Sequence, residues 1–343
     1  MLRSAPLPLI IVSMVLLLAV LMISSITVGP MDITFATSLN TLLFPSANIN
    51  QPVDLVIHTV RLPRTLLCVL VGAILALCGT VMQGLFRNPL AEPGIIGVSS
   101  GASLGAACAI VIFGSSSFIP SWLVSTLLPV CAFLGGALTT VIVYRLGTAR
   151  HGTSITIMLL AGIAVSALSG AAIGYLNYAA DDQMLRDLTL WSMGSLAGAT
   201  WHNIVLCAVL LLLLLGFFIW RARALNALLL GETEAKYLGI AVQPLKRELI
   251  LLSAIGVGVT VSAAGLIGFV GLVVPHLGRM LVGPDHRNLI PVSTCLGALL
   301  LTVADMVARV AVAPAELPIG IITALVGAPF FLYLLLQQKG RTL

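Results

Sequence analysis

The sequence predicts an all-α, polytopic membrane protein of about ten helices, and three observations carry that prediction. Of its 343 residues 59% are hydrophobic and 8% charged, whereas a soluble domain carries about 25% charged residues. The run from Thr65 to Phe86 is 22 residues without a charge, and at about 1.5 Å per residue such a helix crosses a hydrocarbon core of about 30 Å. A mean hydropathy of +1.13 extends the same character over the whole chain. Length therefore bounds the number of crossings rather than the number of soluble domains.

Apolar runs bounded by charge, Pro or Gly give ten spans, and each has its own reason. The first, 8–28, follows Arg3, but its run is too long for the 7–15 apolar residues of a cleaved leader and has no small-x-small site, so it is expected to be retained. The second, 59–84, opens on Arg61-Leu-Pro-Arg64. It ends at the polar turn Arg87-Asn-Pro-Leu-Ala-Glu-Pro-Gly94, which Pro89 and Pro93 stiffen and from which Asn88 is placed to cap the following helix. The third, 92–113, carries Gly97, Gly101 and Gly105 on one stripe, and the fifth, 154–179, carries Gly162, Ser166, Gly170 and Gly174. Small residues at that spacing let membrane helices approach closely, which favours bundle packing over pore lining for any one of them. The fourth and sixth spans, 119–146 and 202–220, end on basic residues. The seventh and eighth, 247–264 and 267–282, are parted at Leu266-Ile-Gly-Phe-Val-Gly271. The ninth, 289–310, holds Asp305 and Arg309 four residues apart, close enough to pair on one helix face. The tenth is 317–338.

Ten crossings put both termini on one side. With the N-terminus inside, 13 of the 17 basic residues fall on inner segments, among them Arg3, Arg150 and Arg341, and only Arg61, Arg64, Arg186 and Arg309 fall outside. This is the positive-inside bias. It accounts for the net charge of +5 without a nucleic-acid partner, since the basic residues form no cluster.

The longest inner segment, 222–247, contains Leu230-Gly-Glu-Thr-Glu-Ala-Lys-Tyr-Leu-Gly239. Glu232 and Lys236 are four apart in the favourable order, and Ala235, Leu238 and Gly239 leave a small apolar face, so a short amphipathic helix is expected outside the bilayer, as a docking site or resting on headgroups. Six cysteines (68, 78, 108, 131, 207 and 295) lie in apolar spans without metal-ligand spacing and read as small hydrophobes. No phosphate-binding loop, His-Glu-x-x-His pair or Gly-x-Ser-x-Gly elbow is present, so no cofactor, metal site or catalytic residue is expected in this chain. His151, His202 and His286 have no partner spacing.

Five segments resemble, in the same order, the permeases of bacterial iron-siderophore, haem and cobalamin importers. They are Arg61-Leu-Pro-Arg64, Arg87-Asn-Pro-Leu-Ala-Glu-Pro-Gly94, Gly231-Glu-x-x-Ala-x-x-Leu-Gly239, Gly268-Phe-Val-Gly-Leu-Val-Val-Pro-His276 and Ala315-Glu-Leu-Pro-Ile-Gly320. The resemblance implies a type II ABC importer in the bacterial inner membrane. In such an importer two permease copies, each a single transmembrane domain of ten helices, join two cytoplasmic ATPases, which bind ATP and Mg, and a periplasmic binding protein. It further implies that Arg61, Arg64 and Arg309 meet acidic residues of the binding protein. Leu230, Gly231, Glu232, Ala235, Leu238 and Gly239 would belong to the segment that couples to the ATPase, and Asn88, Leu90, Thr153 and Ser154 to the cytoplasmic gate. Phe86-Arg-Asn-Pro-Leu and Gly97-Val-Ser-Ser-Gly-Ala look most like haem permeases, so haem ranks ahead of an iron siderophore and cobalamin. His58 is a candidate haem contact at the outer mouth, set against the plainer reading of a loop histidine, and His276 reads as structural. An ion-coupled secondary transporter is the competing class, but it wants midplane carboxylates and only Asp305 comes near.

Overall fold

The computed structural model describes residues 6–29, 31, 33–43, 52–114, 121–149 and 152–339; Arg3, Arg150, His151 and Arg341 lie outside them. The helices run α1 (Leu7–Thr27), α2 (Phe35–Leu43), α3 (Pro52–Leu55), α4 (Leu62–Phe86), α5 (Val98–Cys108), α6 (Ser121–Leu146), α7 (Ile155–Ala179), α8 (Asp182–Ser192), α9 (Trp201–Leu230), α10 (Glu232–Tyr237), α11 (Val242–Ala264), α12 (Val270–Val282), α13 (His286–Val310) and α14 (Ile319–Lys339). A π segment, Val56–Arg61, joins α3 to α4 as one rod, and another, Ala109–Phe113, extends α5. Among the described residues seven helices are long and apolar enough to cross a membrane, and three shorter apolar ones, Val98–Phe113, Val270–Val282 and Ile319–Leu334, make up the ten expected.

α4 is apolar on every side and is the axis of the bundle: α9, α11, α12 and α13 all pack around it. Lipid gives no hydrophobic drive for this association, so close backbone approach supplies it. A Cβ at Gly72 would stand 2.8 Å from Leu301 Cβ and closer still to the Gly297 carbonyl, while one at Gly79 would lie 2.5 Å from Gly271 Cα. Along the expected stripes the outcome is divided. Gly101 and Gly105 meet the backbone of α6 at Gly135 and Cys131, and Gly162 meets the Ile95 carbonyl, but Gly170 and Gly174 face open space.

Where the chain differs from the expected spans, local chemistry explains it. The sixth helix does not stop at residue 220 but runs to Leu230, because no breaker precedes Gly231, whose φ of 140° is outside the helical range. Arg221 and Arg223 thus lie on a helix, and the inner segment expected over 222–247 contracts to a short link around α10. Arg221 is held there by Glu248 at 2.7 Å and by the Trp220 ring at 4.1 Å. The seventh helix starts at Val242, earlier than expected. Two short strands pair antiparallel as a hairpin, β1 (Thr148–Ala149) against β2 (Gly152–Thr153), where the sequence offers no alternating pattern long enough to read. Between the seventh and eighth spans the expected break is present: α11 ends at Ala264 and α12 begins at Val270. Phe269 adopts a positive φ there, and the Glu92 carboxylate accepts its N–H at 3.3 Å. Non-helical backbone in a membrane bundle is tolerated where protein satisfies it in this way.

Replacing Gly72 by Val should force α4 from α13 and cost about 1–3 kcal/mol or more. Gly216→Val, whose Cβ meets nothing within 4 Å, is the control. The thermal midpoint in detergent should fall for the first and not for the second; equal midpoints would contradict close packing at Gly72.

Candidate functional site

At the expected outer end, Arg61, Arg64 and Arg309 converge, but they are 4%, 5% and 2% exposed. Asp305, fully buried, receives both neighbours: Arg64 at 2.9–3.0 Å and Arg309 through the expected pairing one turn away. Arg64 also reaches Glu316 at 2.6 Å, which ties the Ala315-to-Gly320 segment to α4. The remaining donors go to α1. Arg309 donates to the Ser25 carbonyl at 2.9 Å and the Ser25 hydroxyl at 2.7 Å, and Arg61 donates to the carbonyls of Ile26 and Thr27 at 2.8 Å and of Met31 at 2.6 Å. Two guanidiniums thus cap the last turn of α1, where carbonyls lack helical partners and the dipole favours cations. Each of the three guanidiniums is thus engaged by partners within the chain. His58 sits on the π segment before Arg61, half-buried, with Nε2 hydrogen-bonded to no group among the described residues.

At the opposite end the expected coupling residues fall on and around α10. Leu230 and Leu238 are 68% and 64% exposed, and Tyr237 projects beside them, while Ala235 is packed into the core. Positive φ angles at Gly231 and Gly239 bracket the helix. Glu232 does not serve the expected pair with Lys236. It turns inward to Lys246, because a buried ammonium needs a counter-ion more than an exposed one does. Lys246 also donates to the Thr153 carbonyl at 3.0 Å, so a residue of the expected gate and one of the expected coupling segment meet on one side chain. Sequence reasoning missed Lys246; its place in an apolar helix, Val242 to Ala264, was the available signal.

The other gate residues are local. Asn88 Oδ1 accepts the Leu90 N–H at 2.9 Å, closing a turn of its own rather than capping the next helix. Arg87, at φ 49°, ends α4 in the left-handed conformation. Ser154 caps α7 by accepting the Ile157 N–H at 3.4 Å. Nearby, Asp285 caps α13, and its hydrogen bonds from the Arg287 guanidinium, 2.6 and 3.0 Å to Oδ2, hold its carboxyl below the usual carboxylate range. Asn226 of α9 donates to Asp285 at 2.6 Å and accepts the His286 N–H at 2.9 Å, tying the C-terminal part of α9 to the N-terminus of α13.

The sequence profile of the FecCD transport family matches residues 16–337. The chain is 45% identical over 326 residues to the hemin transport system permease protein HmuU of Yersinia pestis, covering 95% of each. It is 42% identical over 293 residues to the cobalamin import system permease protein BtuC of Halobacterium salinarum, covering 85% of this chain and 76% of that one. Among solved structures, a metal-chelate type ABC transporter in an inward-facing conformation superposes with a TM-score of 0.81 at 36% identity, over 96% of this chain and 99% of that one.

Asp305→Asn would strand two buried guanidiniums without their shared counter-ion. Breaking a buried ion pair costs about 3–5 kcal/mol, so the purified protein should melt earlier by several degrees or fail to accumulate. An unchanged midpoint would mean that water, not Asp305, solvates the arginines.

Proposed function

Because the chain belongs to the FecCD transport family, a family of ABC importer membrane subunits, we propose that it is a type II permease that imports haem across the bacterial inner membrane. Its ten helices form the wall, and a separate ATPase supplies the energy. The observation that carries the substrate is the 45% identity with a hemin permease over 95% of both chains, together with the Phe86-Arg-Asn-Pro-Leu and Gly97-Val-Ser-Ser-Gly-Ala segments. The cobalamin relative at 42% keeps cobalamin and ferric siderophores as the second reading.

The physical parts suit that role. Two copies of this chain would face one another across the sparsely covered α7, whose Gly170 and Gly174 leave room beside the backbone for a broad, rigid chelate. A path lined by small and apolar groups passes such a ligand without a tight site. The exposed Leu230, Tyr237 and Leu238 offer the ATPase an apolar knob. The outer cluster, three arginines against Asp305 and Glu316, keeps one net positive charge, and complementarity of that residual charge with carboxylates on a binding protein orients encounter. Both termini then lie in the cytoplasm. Glu232, held by Lys246, supports this docking face from behind.

Purified permease, its ATPase and its binding protein in proteoliposomes should accumulate haem only with ATP, and faster than cobalamin or a ferric siderophore. Preference for another chelate would move the substrate to the second reading. Uptake driven by a proton or sodium gradient without the ATPase would overturn the importer.

A further inference from the structure

Lys246 is 1% exposed, and its ammonium joins two segments that have different tasks in the proposed importer. On one side it meets the Glu232 carboxylate at the start of α10; on the other it donates to the Thr153 carbonyl at 3.0 Å. Gln243, one turn earlier on the same face of α11, accepts the Thr153 N–H through Oε1 at 2.9 Å. Both backbone polar groups of Thr153 are thereby held by α11. Gly152 rests on the same glutamine: a Cβ there would stand 2.7 Å from Gln243 Cδ, and its φ of 119° already favours glycine.

The hairpin transmits what is done to Thr153. Its two threonine hydroxyls meet at 3.0 Å, the Ser154 N–H donates to the Gly147 carbonyl at 2.8 Å, and Ser154 opens α7, the helix with the open glycine face. α11 packs against both α10 and β2, so it is the element that the docking segment and the hairpin share. Pulling α10 or β2 away from α11 would leave a buried ammonium short of an acceptor, which is costly, so the three move together more readily than apart.

We propose that Lys246 and Gln243 form a linkage that carries displacement of the ATPase-docking segment at α10 to the paired strands β1 and β2 of the gate. They are positioning residues: neither touches nucleotide or the transported chelate. The proposal rests on the reading of α10 as the ATPase contact and of the hairpin as a gate. A buried lysine serving stability alone is the competing explanation, and it predicts no special effect on coupling.

The test uses the permease–ATPase complex with a cysteine-free permease carrying Ala149→Cys, an exposed position on β1. The rate of maleimide labelling is read with and without vanadate-trapped nucleotide, beside ATP hydrolysis and retention of the ATPase. Trapping should alter the labelling rate in the otherwise unmodified permease. Gln243→Met should abolish that response while the ATPase stays bound and active, Lys246→Met should abolish it as well, and Lys246→Arg, which keeps a cation able to reach both oxygens, should retain it. Responses in both Met variants equal to the parent would overturn the linkage. Should Lys246→Met fail to assemble, Gln243→Met decides alone, and a retained response there overturns it too. A parent reporter blind to nucleotide, in a complex that still hydrolyses ATP, would instead defeat the gate reading, and the linkage with it.

Discussion

A single buried carboxylate sets the geometry of one end of this molecule. Asp305 is fully enclosed, and it neutralises Arg64 of α4 and Arg309 of its own helix. In a low-dielectric interior neither charge is tolerable without the other, so the helices that carry them are fixed relative to one another. The remaining donors then draw in further chain: Arg309 and Arg61 hold the last carbonyls of α1, and Arg64 holds Glu316. A peripheral first helix and a distant loop are thus attached to the axis of the bundle by the hydrogen-bonding demand of three arginines.

The same constraint operates at the other end through Lys246, whose buried ammonium joins Glu232 of α10 to the Thr153 carbonyl. Between the two ends, α4 lies so close to α12 and α13 that glycine is required at the crossings. Such a core behaves as a rigid wall. α7 lies to one side of it, packed on α5 and α6 with Ser166 bonded to Ser100 at 3.0 Å, while its Gly170 and Gly174 have no neighbour within 4 Å. A transporter needs that contrast, since a passage can change width only where its lining helices are not locked into the core. The type II importer reading assigns the locked helices to the frame and the open one to the path.

Much of this was legible in the sequence, and the failures have physical causes. Hydropathy located ten helices because lipid demands long apolar runs, and the Asp305–Arg309 pair was readable because four residues make one turn. Arg64 joins that pair from 241 residues away, a contact no local pattern encodes. Glu232 was expected beside Lys236 for the same local reason, yet a long-range buried lysine claimed it. Four-residue spacing identified both small-residue stripes but not what each faces: Gly101 packs on α6 while Gly170 faces open space. The amphipathic α8, with Asp181 as its cap accepting from Met184 at 2.8 Å, carried a readable start that hydropathy overshadowed.

The proposed docking role of the outer cluster adds to its structural one, and replacing its buried charges together separates the two. Apolar replacement of an entire buried ion network is often neutral or stabilising, whereas loss of one member is not. The decisive measurement is made on the triple variant Arg64→Met, Asp305→Leu, Arg309→Leu, reading thermal midpoint together with stimulation of ATP hydrolysis by the binding protein. The account predicts a folded protein with a midpoint near or above that of the parent, intact basal hydrolysis and no stimulation. Normal stimulation in that folded variant would contradict it, and would reduce the arginines to struts.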